Sequence, residues 1–182
     1  MADVKDFQKI AMPHLDSVFR AALAKTRNRT TAEDLTQTTF AKALQRFDTY
    51  REGSNCKAWL MRILHNTWID QLRHRKVVGP EVPVEEELIE QDEPVEPTSW
   101  SDASDMLENF SDEQVIRALG ELPEDQRMTL FLIDVEGLSQ EEVAEITDVP
   151  VGTVKSRTSR ARSALKERLH EHAIDLGFMG RE

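Results

Sequence analysis

A chain of 182 residues with 39% hydrophobic and 31% charged residues has the balance of a soluble, helix-rich protein built as one ordinary domain or two small ones. Its 34 acidic side chains outnumber 23 basic ones, its single cysteine excludes an internal disulfide or a multi-cysteine zinc site, and no apolar run is long enough to span a bilayer. The N-terminal MADVKDFQKIAMPHLD carries charges through any stretch a signal peptide would need to keep apolar, so we expect a cytoplasmic protein with no membrane insertion of its own.

In chain order, apolar periodicity and punctuation predict helices near 4–11, 13–28, 31–46 and 55–76, with a capping box at Thr30-Thr31-Ala32-Glu33. Residues 1–76 hold 14 Lys or Arg against 8 Asp or Glu. The next 34 residues, 77–110, hold 11 acids and no base, together with four of the seven prolines, which favours an extended strap; only its end, with Trp100, Ala103, Leu107 and Phe110 at helical spacing, suggests a short helix. Helices are then expected near 111–121, 123–135, 139–147 and 150–170, with capping boxes at Ser111 and Ser139 and Pro123 and Pro150 near helix starts. Strand signal is nearly absent. The fold class is therefore all-α: two small helical domains, residues 1–76 and 111–182, joined by a flexible acidic linker, 77–110. Cores this small suit adaptor modules better than an enzyme with a deep pocket. The five histidines show no ligand spacing, so we expect surface positions, no metal site, no cofactor and no catalytic residues. Cys56 is expected to be a small buried thiol.

One stretch stands out in the acidic C-terminal part. Residues 149–169, VPVGTVKSRTSRARSALKERL, hold six Lys or Arg against one acid. At about 100° per residue, Val154, Ala161, Leu165 and Leu169 share one arc. Lys155, Ser156, Ser159 and Arg160 fall opposite, with Arg157 and Arg162 on the flanks. The preceding SQEEVAEITD places Val143 and Ile146 inward and the small Ala144 where two helices must approach closely. Helix, short turn and basic helix form a helix-turn-helix pattern. Flanking arginines then anchor phosphates, while Lys155, Ser156, Ser159 and Arg160 reach base edges in a major groove.

Taken together, two blocks resemble a known family. GELPEDQRMTLFLIDVEGLSQEEVAEITDVPVGTVKSRTSRARSALKERL is similar to region 4 of bacterial sigma factors, which reads the promoter −35 element. AEDLTQTTFAKALQRFDTYREGSNCKAWLMRILHNTWIDQLRHRK, residues 32–76, resembles region 2, which binds the polymerase and opens the −10 element. The two blocks in this order, with only a short acidic linker between them, resemble the extracytoplasmic-function (ECF) sigma factors. REGSNCKAWLMRILHNTWID is similar to the branch whose members often answer to zinc-containing, redox-sensitive anti-sigma proteins.

The resemblance implies a non-enzymatic alternative sigma factor whose partners are core RNA polymerase (the clamp coiled coil of its largest subunit, and the flap), promoter DNA and an anti-sigma factor. Asp34 and Gln37 match the family's Asp-x-x-Gln, which docks on the clamp coiled coil; spacing of three puts them on one helix face. YREGSNCK and the helix after it match the part that captures a flipped base of the −10 non-template strand, so Asn55 and Lys57 become candidates. Arg62, Asn66, Ile69 and Arg73 form a stripe opposite Leu60, Leu64 and Thr67, with Asn66 the candidate for the base pocket. Trp59 and Trp68 are expected in the core. Phe47 and Tyr50 are the only aromatics near the loop, which implies limited melting power. The acidic strap, negatively charged along its length like a nucleic acid strand, is expected to occupy the polymerase's RNA path.

Overall fold

The computed structural model describes residues 4–78 and 118–169, and every regular element in them is helical. The linker, the helix expected to start at Ser111 and the C-terminal tail lie outside or largely outside the described residues. Helix α1 spans Val4–Ala11, and a 3-10 turn at Met12–His14 leads into α2, Leu15–Thr26. Then come α3, Arg29–Gln45, and α4, Cys56–Val78. After helical residues 118–120 follow α5, Glu124–Leu130, α6, Gln140–Thr147, and α7, Val151–Arg168.

Two boundaries differ from expectation, for identifiable reasons. Arg27 adopts a left-handed conformation (φ 53°) that ends α2, and Asn28 is already extended, so the chain reverses within two residues. Asn28 Oδ1 then accepts the Thr31 N–H at 2.9 Å, so the cap of α3 is Asn28 and not Thr30. The second difference lies in the predicted 123–135 helix. It is α-helical only to Leu130; Phe131–Val135 is a π-helical turn, and the Glu136 N–H reaches back five residues to the Phe131 carbonyl at 3.0 Å. The box at Ser139 forms as expected: Ser139 Oγ accepts from the Glu142 N–H and Glu142 Oε2 from the Ser139 N–H.

In the N-terminal half, α2 packs on α3 and α3 on α4 around Val18, Ala21, Ala22, Leu35, Leu60 and Leu64, none more than 1% exposed. Small alanines on α2 permit the close approach. Phe7, Phe40, Phe47, Tyr50 and Trp59 form an edge-to-face and stacked cluster at one end. Tyr50 Oη donates to the Ser54 carbonyl at 2.8 Å, closing the 50–55 loop, whose Gly53 sits at φ +82°. Trp68 is buried, as expected, and Trp59 half-buried.

In the C-terminal half, α7 lies across α5 and α6. Val143, Ile146, Val154 and Ala161 are buried as the wheel requires, with Thr158 beside them. The two halves also pack on each other. Helix α4 lies against α6, α2 against α5, and a single hydrophobic core runs from Phe7 through Leu64 to Met128, Leu132, Ile146 and Val154.

Candidate nucleic-acid and polymerase interfaces

The turn between α6 and α7 is Asp148-Val149-Pro150. Asp148 is left-handed (φ 54°), and Val149 donates to the Ala144 carbonyl at 3.1 Å. Ala144 is 8% exposed, and its methyl group is what lets the turn close over it. Pro150 enters α7 extended, so the next helix starts without a lost hydrogen bond. Lys155, Ser156, Ser159 and Arg160 are all exposed on the face opposite Val154, Thr158 and Ala161.

The two flanking arginines behave differently from expectation. Arg157 is half-buried, with Nε 3.0 Å from Asp125 Oδ2 of α5, and it lines a cleft between the halves. It is a structural strut before it is a phosphate anchor. Arg162 is exposed but held by both oxygens of Asp134 at 2.6 and 3.1 Å, which raises its pKa further. A solvent-exposed pair of this kind is weak enough to exchange its carboxylate for a phosphate. Sequence reading missed both partners because Asp125 and Asp134 meet these arginines only through tertiary packing.

Asp34 and Gln37 are both exposed on α3, while Leu35, Thr36 and Thr39 between and beyond them are buried. Thr36 and Thr39 donate their hydroxyls to carbonyls four residues back, so they enter the core without an unmet donor.

Along α4, Arg62, Asn66 and Arg73 are exposed and fall within about 40° of one another. Ile69, at the edge of that arc, is half-buried and dips into the cleft. Lys57 does not join the stripe. Five residues from Arg62 it points about 140° away, and its ammonium donates to the Glu136 carbonyl and sits 3.4 Å from Glu136 Oε2. Asn55 has two duties: its Oδ1 accepts from the Ala58 N–H in the first turn of α4, and its Nδ2 donates to Glu142 Oε1 at 2.6 Å. The Ser139 N–H first, and then the Asn55 bond, hold the Glu142 carboxyl below its usual pKa. Cys56 is buried, and desolvation pushes its thiol up to about 11.

The cleft, of about 420 Å³, runs between α4 and α5–α7, with Met61, Leu64, Leu72, Met128 and Ile146 among its walls. His65 faces it and is not the surface histidine expected. Burial, with Lys25 and Arg157 nearby, outweighs Glu124 and Asp148 and lowers its pKa to about 4. Unfolded, this imidazole titrates near 6.5, so between pH 6.5 and 4 the unfolded chain takes a proton the folded chain refuses, and stability falls with pH. The melting temperature is therefore expected to drop between pH 7 and pH 5, and less so in His65→Gln; equal drops in both proteins would remove His65 from the account. Among the described residues no group of three His, Cys, Asp or Glu is placed to hold a metal ion, and no helix is long and apolar enough to cross a membrane.

A helix-turn-helix with an exposed basic face, packed on a helical half with its own cationic stripe, is the arrangement of a DNA-directed protein of two regions. The family models "Sigma-70 region 2" and "Sigma-70, region 4" match residues 10–77 and 112–165. The chain is 32% identical over 175 residues to the ECF RNA polymerase sigma factor SigE of Mycolicibacterium smegmatis, covering 96% of this chain and 65% of that protein's length. It is 35% identical over 157 residues to the ECF RNA polymerase sigma factor EcfG of Rhodopseudomonas palustris, covering 86% and 81%. Among solved structures, the sigma factor RpoE of Bartonella quintana, in complex with the anti-sigma factor NepR, superposes with a TM-score of 0.70 at 33% identity over 92% of this chain and 98% of that one. The chain belongs to the ECF family of RNA polymerase sigma factors, alternative subunits that direct promoter-specific transcription.

Proposed function

We propose that this chain, itself non-catalytic and cytoplasmic, binds core RNA polymerase through Asp34 and Gln37. It then places α4 on the −10 element and α7 on the −35 element. The observation that carries this is α7: a helix held by Val154, Thr158 and Ala161 that turns Lys155, Ser156, Ser159 and Arg160 outward together. Asn55, Arg62, Asn66 and Arg73 supply the amides and cations that hold a displaced strand and an extruded base; Lys57 joins them once released from Glu136. Transcription by core enzyme from a promoter bearing both elements, with and without the purified chain, tests the proposal directly.

Base reading and phosphate anchoring separate by mutation. Arg160→Ala is expected to cost about 1–3 kcal/mol of discrimination at one −35 base pair. Arg162→Ala should weaken all promoters alike and reduce the salt slope by about one. Equal losses on matched and altered −35 sequences for both variants would contradict base reading by Arg160.

We further propose an anti-sigma partner. The complex of the Bartonella relative supports it, as does the Met- and Leu-lined cleft, whose apolar walls suit an apolar helix face. A zinc-containing, redox-sensitive partner is the finer form of this proposal and rests on the resemblance of residues 51–70; zinc analysis of the co-purified complex decides it.

A further inference from the structure

Helix α7 is held to its neighbours through small side chains. Its buried residues are Val154, Thr158 and Ala161, and the Thr158 hydroxyl donates to the Val154 carbonyl of its own helix at 2.9 Å. None of the three is a large knob that interlocks with α5 or α6. Such a shallow ridge leaves the roll of the helix about its axis loosely set. Roll matters for reading bases. Side-chain tips lie about 5–6 Å from a helix axis, so a roll of about 20° carries each of them through about 2 Å. A hydrogen bond to a base edge does not survive that displacement.

Two arginines straddle this small-residue face, Arg157 about 70° to one side of its centre and Arg162 about 70° to the other. Both end on carboxylates outside the helix. The Arg162–Asp134 pair is open to water, and a DNA phosphate can take the place of that carboxylate. Arg157 is placed differently. Its side chain is 24% exposed, and its Nε stands 3.0 Å from Asp125 Oδ2. The other oxygen of that carboxylate, Oδ1, accepts the Gln126 N–H at 2.9 Å, so Asp125 is itself fixed to the backbone of α5. The tie therefore runs from the α5 backbone to one edge of α7. Both residues belong to the C-terminal half, and the tie needs nothing from the N-terminal one.

We propose that Asp125 is a positioning residue for −35 recognition: through Arg157 it fixes the roll of α7, and with it the direction in which Ser156, Ser159 and Arg160 meet the base edges. Arg157 serves this end in place of the phosphate contact that the sequence suggested. The inference rests on the assignment, made above, of α7 to the −35 element and of Arg160 to a base edge. An ion pair half open to water adds little to folding stability. Its loss is therefore felt in discrimination between bases and hardly at all in melting.

A double-mutant cycle on the full chain with core polymerase tests it. Asp125→Asn keeps an oxygen for the Gln126 N–H but removes the charge, and Arg157→Gln removes the guanidinium. The readout is the ratio of affinities for promoters with a matched and an altered −35 base pair, at the position where Arg160→Ala lowers that ratio. Each single variant is expected to lower it about fivefold. The double variant should lower it no further, because both changes cut the same tie. Asp125→Glu, which keeps the charge, should retain most of the ratio, and all these proteins should melt close to the parent. An unchanged ratio in Asp125→Asn overturns the proposal, whatever its melting temperature. Losses that add in the double variant overturn it as well, since the two residues then act separately. If Arg157→Gln weakens matched and altered promoters alike and reduces the salt slope by about one, Arg157 is a phosphate contact and not a brace. If Arg160→Ala leaves the ratio unchanged at every −35 base pair, base reading itself fails, and the positioning with it.

Discussion

Asp34→Arg combined with Gln37→Ala is expected to abolish co-elution with core polymerase while leaving the melting curve of the chain unchanged. Both side chains are exposed on the same face of α3. Neither belongs to the core formed by Leu35, Thr36, Thr39 and Ala43 beneath them, so the substitutions stay within the small stability effects of surface changes. Reversing charge on the proposed docking face, by contrast, sets like charge against a complementary surface and leaves a hydrogen-bonding partner unmatched. The neighbouring Glu33, paired with Arg29 at 3.1 Å, serves as the control: Glu33→Ala should bind core as the parent does. If the double variant co-elutes with core enzyme, another surface does the docking.

The second large effect is structural. Arg127 donates to three carbonyls: Ala24 at 2.8 Å from Nε, and Leu122 at 2.8 Å and Gly120 at 3.2 Å from Nη1. One planar guanidinium thus ties α2, the turn before α5 and α5 itself. Arg127→Leu keeps the apolar volume but strips a charged donor from three acceptors at a buried point. We expect a loss on the order of 3 kcal/mol, which for a chain of this size lowers the melting temperature by roughly 10 °C. Arg127→Lys should recover only part, since an ammonium lacks the fork that reaches separated carbonyls. A variant that melts with the parent would show that water replaces the guanidinium at no cost.

How far the sequence discloses this molecule depends on the range of the interaction. The Ser139–Glu142 box, the Asp148–Pro150 turn and the inward set Val143, Ile146, Val154 and Ala161 are written within a few residues of one another, and each forms as read. The cap at Asn28 was missed by two positions because Thr30 offered the same local pattern; the left-handed Arg27 decided between them. Lys57, Arg157 and His65 were misplaced for another reason. Their surroundings come from residues about 30 to 90 positions away, and Asn55–Glu142, Lys25–Glu124 and Arg20–Glu136 are 87, 99 and 116 residues apart. Helical periodicity says which arc a residue occupies but not what the arc meets, so a seam between two halves leaves no mark in either.

The π-helical turn at Phe131–Val135 has a consequence for how this surface tolerates change in length. A π turn holds one residue more than the α turn it replaces, and so rotates everything after it by about 100° relative to an unbroken helix. Asp134, within the turn, meets Arg162 on α7, and Glu136, just past it, meets Arg20 and Lys57 in the other direction. A chain lacking one residue between Phe131 and Ile133 would keep every one of these charged groups and fold a smoother helix. Its two carboxylates would be turned to the wrong compass bearings, so a change of spelling that deletes no partner would disconnect both the reading helix and the seam.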